Sequence, residues 1–136
     1  MENIIFQENT PALIEELTKL YQSVGWTSYT DHPELMEKLL PGAYSYITAW
    51  HEEKLIGLIR TVSDGCYILY IQDLLVHPDY HRQGIGSELM NRMLEQSRNF
   101  RQVVLTTEDD EKTIQFYRSV GMMPMQETGA ISFMEI

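Results

Sequence analysis

Asp73-Leu74-Leu75-Val76-His77-Pro78-Asp79-Tyr80-His81-Arg82-Gln83-Gly84-Ile85-Gly86-Ser87-Glu88-Leu89 decides the fold of this 136-residue chain. An apolar run ends at Val76, a turn containing Pro78 follows, and two glycines open a segment where Ile85, Leu89, Met90, Met93 and Leu94 share one helical face. The pattern predicts a buried strand, a loop and an amphipathic helix. The first amides of a helix have no intrahelical partner, and the macrodipole is positive there. Gly84 and Gly86 let an anion approach those amides with no Cβ in the way, and Arg82 adds a charged donor. The stretch therefore reads as a phosphate or pyrophosphate cradle. It is not a Walker loop, because no lysine precedes Ser87, nor a dinucleotide fingerprint, because position 89 is Leu89 rather than a third glycine.

Working outward, Tyr67 to Val76 is nearly unbroken in apolar and aromatic residues, as expected of a central strand covered on both faces. Before it, Tyr44 to Trp50 and Leu55 to Val62 flank a polar turn and predict a hairpin. Further upstream come a short opening strand, Asn3 to Gln7, and a helix whose apolar positions run from Leu13 to Val24. Thr10 and Pro11 are expected as its N-cap and first residue. A shorter helix is expected to start at Pro33. Downstream, Gln102 to Thr106 reads as a strand and Ile114, Phe116, Tyr117 and Val120 as the face of a last helix. Two final strands are expected near Met123–Glu127 and Ile131–Ile136. Helices interleaved with strands imply an α/β fold with helices on both faces of one sheet.

The length and 43% hydrophobic content fit one domain over residues 1–136. No window has the length and apolarity of a membrane span, Met1-Glu2-Asn3-Ile4 lacks a secretion-signal layout, and Cys66 has no second cysteine to pair with. A cytoplasmic location is the simplest expectation, with no membrane partner. A net charge of −10 argues against nucleic acid and favours a cationic partner such as a protonated amine, although ordinary solubility explains it equally. His77 and His81 straddle Pro78 and do not share a helical face, so no metal site is expected.

Val76-His77-Pro78 followed by His81-Arg82-Gln83-Gly84-Ile85-Gly86, and later Phe116-Tyr117-Arg118-Ser119-Val120-Gly121-Met122, together resemble the two signatures of the GNAT superfamily of N-acetyltransferases. The similarity is to small bacterial members, with Leu20-Tyr21 and Gly25-Trp26 near the start. It implies a mixed, mostly antiparallel sheet of about six or seven strands and an acetyl-CoA co-substrate. By that resemblance Leu74, Leu75 and Val76 would pair with the pantetheine arm through their backbone. Arg82, Gln83, Gly84, Ile85, Gly86 and Ser87 would hold the pyrophosphate through their amides. Asp110 stands where many members carry Asn and would contact the cofactor. His81 replaces the usual Gln or Arg, so the cradle would rest on the amides.

Amide formation from a thioester needs a neutral amine and a proton for the departing thiolate, whereas a lysine-like amine arrives protonated. The resemblance places the general-acid tyrosine at Tyr117, whose alternative is an amphipathic core residue. Asp73 is a candidate base, with a carboxylate that orders a loop or water as the competing reading; Glu108 is another, and a water chain needs neither. Trp26 and Tyr29 could wall the acceptor site, since aromatic faces attract ammonium groups, or could pack the junction between helices. The expectation is acetyl transfer to a primary amine, small or peptide-borne, by direct attack in a ternary complex. The alternatives are an acyl-CoA sensor and a protein N-terminal or lysine acetyltransferase. Either a monomer or a homodimer is compatible with the sequence.

Overall fold

A computed structural model describes residues 3–136; Met1 and Glu2, part of the stretch read for a secretion signal, lie outside the described residues. The chain forms two compact units, one ending at Leu105 and the other beginning at Thr106.

The first unit is built on one five-stranded sheet in the order β1-β2-β3-β4-β5. Its strands are β1 (Ile4–Glu8), β2 (Ser45–His51), β3 (Lys54–Ser63), β4 (Ile68–Val76) and β5 (Gln102–Leu105). The first four are antiparallel neighbours, and β5 runs parallel to β4. This is the mixed, mostly antiparallel α/β sheet expected. The helices are α1 (Ile14–Ser23), two single turns α2 (Thr27–Thr30) and α3 (Pro33–Met36), and α4 (Ile85–Gln96).

The two helices α1 and α4 cover the sheet. Leu17, Leu20 and Tyr21 of α1 join Leu55, Leu58 and Leu75 in one buried cluster. From α4, Ile85 and Leu89 close on Gly57, where an added Cβ would lie 3.3 Å from Leu89 and 3.4 Å from Ile85. The strand buried along most of its length is therefore β3, from Leu55 to Thr61, and not β4, whose burial alternates. In the order 1-2-3-4-5, β3 is the middle strand with a helix contact on either side, so its sequence must be apolar for both.

Thr10 does not cap α1. Its hydroxyl donates to the Glu8 carbonyl at 3.2 Å, and the helix starts three residues beyond Pro11, with Leu13 at the cap position. The β2–β3 hairpin turns through Glu52 and Glu53, with Glu52 at φ +57°.

The second unit contains α5 (Glu111–Ser119), closed by Gly121 at φ +95° with the Met122 amide returned to the Tyr117 carbonyl at 3.0 Å. The two strands expected after it do not form. Residues Met125–Thr128 make a turn of 3-10 helix, and Gly129 at φ +92° redirects the chain. A strand exists by its ladder, and among the described residues nothing pairs with 123–127 or 131–136, so local β propensity alone leaves them irregular. The sheet described has five strands, close to the six or seven expected.

Candidate acyl-donor edge and aromatic cluster

The β3–β4 register shifts beside Arg60. Arg60 faces Asp73, whereas Thr61 faces Ile71, so Gln72 is the extra residue of a bulge. A bulge bends its strand and re-aims side chains. Its effect on Asp73 is to keep that carboxylate buried, at 3% exposure, on the α1 side of the sheet.

Asp73 sits in a buried hydrogen-bond network. Its Oδ2 accepts from the Tyr21 hydroxyl at 2.7 Å, from Arg60 Nε at 2.8 Å and from Arg60 Nη2 at 2.8 Å. Its Oδ1 accepts from the Tyr29 hydroxyl at 2.6 Å, and Gln72 Nε2 donates to the same Tyr29 oxygen at 3.4 Å. Burial, then the Asp73 charge, drives the Tyr21 phenol far above its ordinary value; burial and the Asp73 hydrogen bond raise Tyr29. Burial alone would lower Arg60, but the Asp73 charge outweighs it and holds the guanidinium more firmly protonated. Three donors converge on Oδ2 and one on Oδ1, which is the arrangement of a group that orders its neighbours.

Trp26 and Tyr29 both reach this cluster, but by packing on one another. Their rings lie 6.1 Å apart at 28°, and Tyr29 is 4.8 Å from Tyr21. Both residues are half-buried, so each keeps some accessible surface.

The backbone of β4 supplies a different feature. β5 pairs with it only over Ile68–Ile71, so the far edge from Gln72 to Val76 has no strand partner among the described residues. Leu74, Leu75 and Val76 lie on this open stretch. It leads through a 3-10 turn, Pro78–Tyr80, into the loop 81–84. His81 Nε2 donates to the Val76 carbonyl at 2.7 Å, and His77 Nδ1 accepts from the Asp79 amide at 3.1 Å. The two histidines thus tie the turn together.

At the end of that turn Arg82 adopts φ +64° and Gly84 φ +78°. A left-handed non-glycine residue costs on the order of 1 kcal/mol and collects at functional loops. Gly84 is the N-cap of α4 and offers no side-chain cap, so the amides of Ile85, Gly86 and Ser87 are not satisfied from that position. An added Cβ at Gly84 would meet nothing within 4 Å, which places its Cα on open space. The residues present therefore fit a pyrophosphate: free amides, a positive helix end, and Arg82 beside them. Gln83 Oε1 is buried without a partner among the described residues.

Asp110 contrasts with Gly84. It is the N-cap of α5, accepting from the Thr113 amide at 2.8 Å and the Thr113 hydroxyl at 3.0 Å, and these bonds hold its carboxyl below the usual aspartate pKa. The structure thus gives the Asp110 carboxylate a local task. Tyr117, also in the second unit, is half-buried; burial raises its phenol, against a smaller lowering from a hydrogen bond with Thr107. A separate cleft of about 850 Å3 is lined by residues that include Glu16, Lys19, His51, Lys54, His77 and Tyr80, with both charge signs.

Residues 10–122 match the family described as the Acetyltransferase (GNAT) family, and the chain belongs to it. A GNAT-family acetyltransferase of Streptococcus pneumoniae superposes with a TM-score of 0.88 over 98% of both chains, at 36% sequence identity. An uncharacterized N-acetyltransferase, ycf52, of the alga Gracilaria tenuistipitata is 29% identical over 127 residues, covering 89% of this chain and 68% of the relative. Histone acetyltransferase TAP1 of Glycine max is 27% identical over 132 residues, covering 89% and 56% respectively. No helix among the described residues is long and apolar enough to cross a membrane.

Proposed function

We propose that this acetyltransferase takes its acetyl group from acetyl-CoA and passes it to a primary amine by direct attack. The observation that carries the reading is the open edge of β4, Gln72–Val76, running into the uncapped start of α4. An extended amide-bearing arm can add to such an edge as a strand would, and an anion can end on the amides beyond it. Leu74, Leu75 and Val76 hold the arm through their backbone. Residues Arg82 to Ser87 hold the pyrophosphate. When bound, acetyl-CoA supplies an activated thioester carbonyl.

Tyr117 donates the proton that the departing thiolate needs. A phenol raised by burial stays protonated at neutral pH, which suits an acid and not a base. Asp73 is assigned to positioning: Tyr21, Tyr29 and Arg60 already occupy its oxygens, so the amine's proton leaves through water. Asp110 is assigned to capping α5. The accessible faces of Trp26 and Tyr29 line the acceptor's path, and the acidic surface of the chain attracts a protonated amine. We further propose that both units act as one catalytic domain. The name of the Glycine max relative makes lysine peptides an arm of the test beside polyamines and arylalkylamines.

The experiment is thiol release from acetyl-CoA with that amine panel, on the wild type and on Tyr117→Phe. We expect turnover on at least one amine, reduced roughly 10²-fold by the substitution with coenzyme A affinity nearly unchanged. Silence across the panel with coenzyme A still bound would mean a sensor, and unchanged turnover would remove Tyr117 from the mechanism.

A further inference from the structure

The turn between β4 and the cradle is capped by a histidine, where Ser, Thr, Asp or Asn is the ordinary choice. Pro78 has no amide hydrogen, so the first one in the turn belongs to Asp79, and His77 Nδ1 accepts it at 3.1 Å. The other bonds of the turn are between backbone groups. The His77 amide donates to the Ile56 carbonyl at 2.8 Å, the Tyr80 amide to the His77 carbonyl at 2.9 Å and the His81 amide to the Pro78 carbonyl at 3.2 Å. Directly beyond lie Arg82 at φ +64° and Gly84 at φ +78°, the start of α4. The chain reaches the cradle amides through this turn.

Three histidines hold this turn, and a proton acts differently on each. His81 Nε2 donates to the Val76 carbonyl at 2.7 Å, and an imidazolium donates as an imidazole does. His51 Nδ1 lies 2.6 Å from the Tyr80 hydroxyl, which accepts as readily as it donates, so that bond also survives. His77 uses its ring nitrogen as the acceptor for an amide that cannot reverse its role. A proton on Nδ1 sets N–H against N–H. Burial first, and Lys54 of β3 next, hold the His77 imidazole below its ordinary value. The Asp79 carboxylate, 3.9 Å from Nδ1, opposes them, and His81 adds a smaller push in their direction. Glu16 and Lys19 of α1, His51 of β2, Glu52 and Glu53 of the hairpin turn, and Tyr80 line the same cleft as His77. Once protonated, Nδ1 has the Asp79 carboxylate as its nearest acceptor, and turning to it strands the Asp79 amide.

We propose that His77 is a proton-sensitive latch on the acyl-donor loop: neutral, it holds the Pro78–Tyr80 turn that presents the α4 amides, and protonated, it releases that turn and weakens coenzyme A binding. The latch rests on the acetyl-CoA reading of the cradle. Because the neutral form is the one required, affinity is whole above the ordinary imidazole value of about 6.5 and falls as the pH drops below it. Bulk charge acts with the opposite sign. Acid makes a chain of −10 less negative and adds a charge at His81, next to Arg82 in sequence, and both changes favour an anion. The direction of the pH dependence therefore separates the latch from general electrostatics.

The test is calorimetry from about pH 8 to about pH 5.5 with dephospho-coenzyme A. That probe keeps the pyrophosphate but lacks the ribose phosphomonoester, which itself titrates at about pH 6. Its dissociation constant should rise roughly fivefold toward the acid end, the effect of losing one amide hydrogen bond. His77→Asn, whose Oδ1 can accept from the Asp79 amide without titrating, should bind the probe and lose the acid-side fall. His77→Ala, with no acceptor, should bind weakly at every pH. In heteronuclear NMR of the wild type, the Asp79 amide should shift with the same midpoint as the His77 ring. Wild-type affinity that is constant or rises toward acid, an unaltered fall in His77→Asn, or an Asp79 amide that does not follow the His77 ring overturns the latch and leaves the cradle standing. No binding of the probe at about pH 8 overturns the acetyl-CoA reading, and the latch with it.

Discussion

Arg60 and Asp73 face each other across β3 and β4 at the step where the register slips, with two guanidinium nitrogens each 2.8 Å from Oδ2. The slip sets Gln72 apart as the bulged residue. The ion pair therefore sits near the start of the stretch of β4 whose far edge is open, Gln72–Val76, and ties that stretch to β3.

A positioning role for Asp73 separates cleanly from a catalytic one. Removing one partner of a buried pair leaves an uncompensated charge, at about 3–5 kcal/mol. Asp73→Ala should lose that much in urea denaturation, and Arg60→Met combined with Asp73→Leu should recover most of it. Asp73→Asn turns amide hydrogens toward Arg60 or a tyrosine hydroxyl and should also lower the melting temperature. A base would behave otherwise: Asp73→Asn would abolish turnover at full stability and flatten the acidic limb of the pH–rate profile.

The two tyrosines make this network sensitive to alkali. Burial and Asp73 hold the folded Tyr21 phenol well above the ordinary tyrosine value of about 10. The unfolded chain ionises that phenol near pH 10 and the folded chain does not. The stability it contributes is whole below about pH 10 and declines as the pH rises beyond it. Wild type should therefore unfold at high pH in one step with a burst of absorbance near 295 nm from the newly ionised phenolate. Tyr21→Phe should be less stable at pH 7 by about 1–3 kcal/mol, from the lost donor, and its stability should fall less steeply above pH 10. Parallel curves for the two proteins would show that Tyr21 is not the group responsible.

What the sequence could reveal follows from how local each cause is. The start of α4 was legible because strand end, turn and glycines lie within a dozen residues, and the glycine-closed end of α5 for the same reason. Asp73 was legible as a buried carboxylate but not in its task, because Tyr21 and Tyr29 are 52 and 44 residues away. The Gln72 bulge is a matter of register with β3, which no local pattern encodes. Asp110 stands directly before an acidic-then-apolar helix start, the ordinary signal for the cap it forms. The two final strands failed for the opposite reason: their propensity is local, but the pairing that would make them strands is not.

The anion cradle at α4 can be tested by filling it. Gly84 is open to space and left-handed, and Asp tolerates that backbone better than most residues. Gly84→Asp places a carboxylate among the amides expected to receive the pyrophosphate. Coenzyme A affinity should fall at least tenfold by calorimetry, which is about 1.4 kcal/mol. Dephosphorylated pantetheine, which lacks the pyrophosphate, should lose little. Equal losses for both ligands would point to a disturbed β4 edge instead.

Gly57 couples the packing of the sheet to that same cradle. A Cβ there would lie 3.2 Å from the Ala49 Cβ, 3.3 Å from Leu89 and 3.4 Å from Ile85, the residue that opens α4. The neighbours on α4 must give way, and overpacking of this size costs about 1–3 kcal/mol. Gly57→Ala should therefore lower stability by that amount and also weaken coenzyme A binding, because displacing Ile85 displaces the amides beside it. Shortening the opposing side chain, Leu89→Val, in the Gly57→Ala background should restore part of both. Stability lost with coenzyme A affinity intact would show that the helix start is held by its own loop rather than by the sheet.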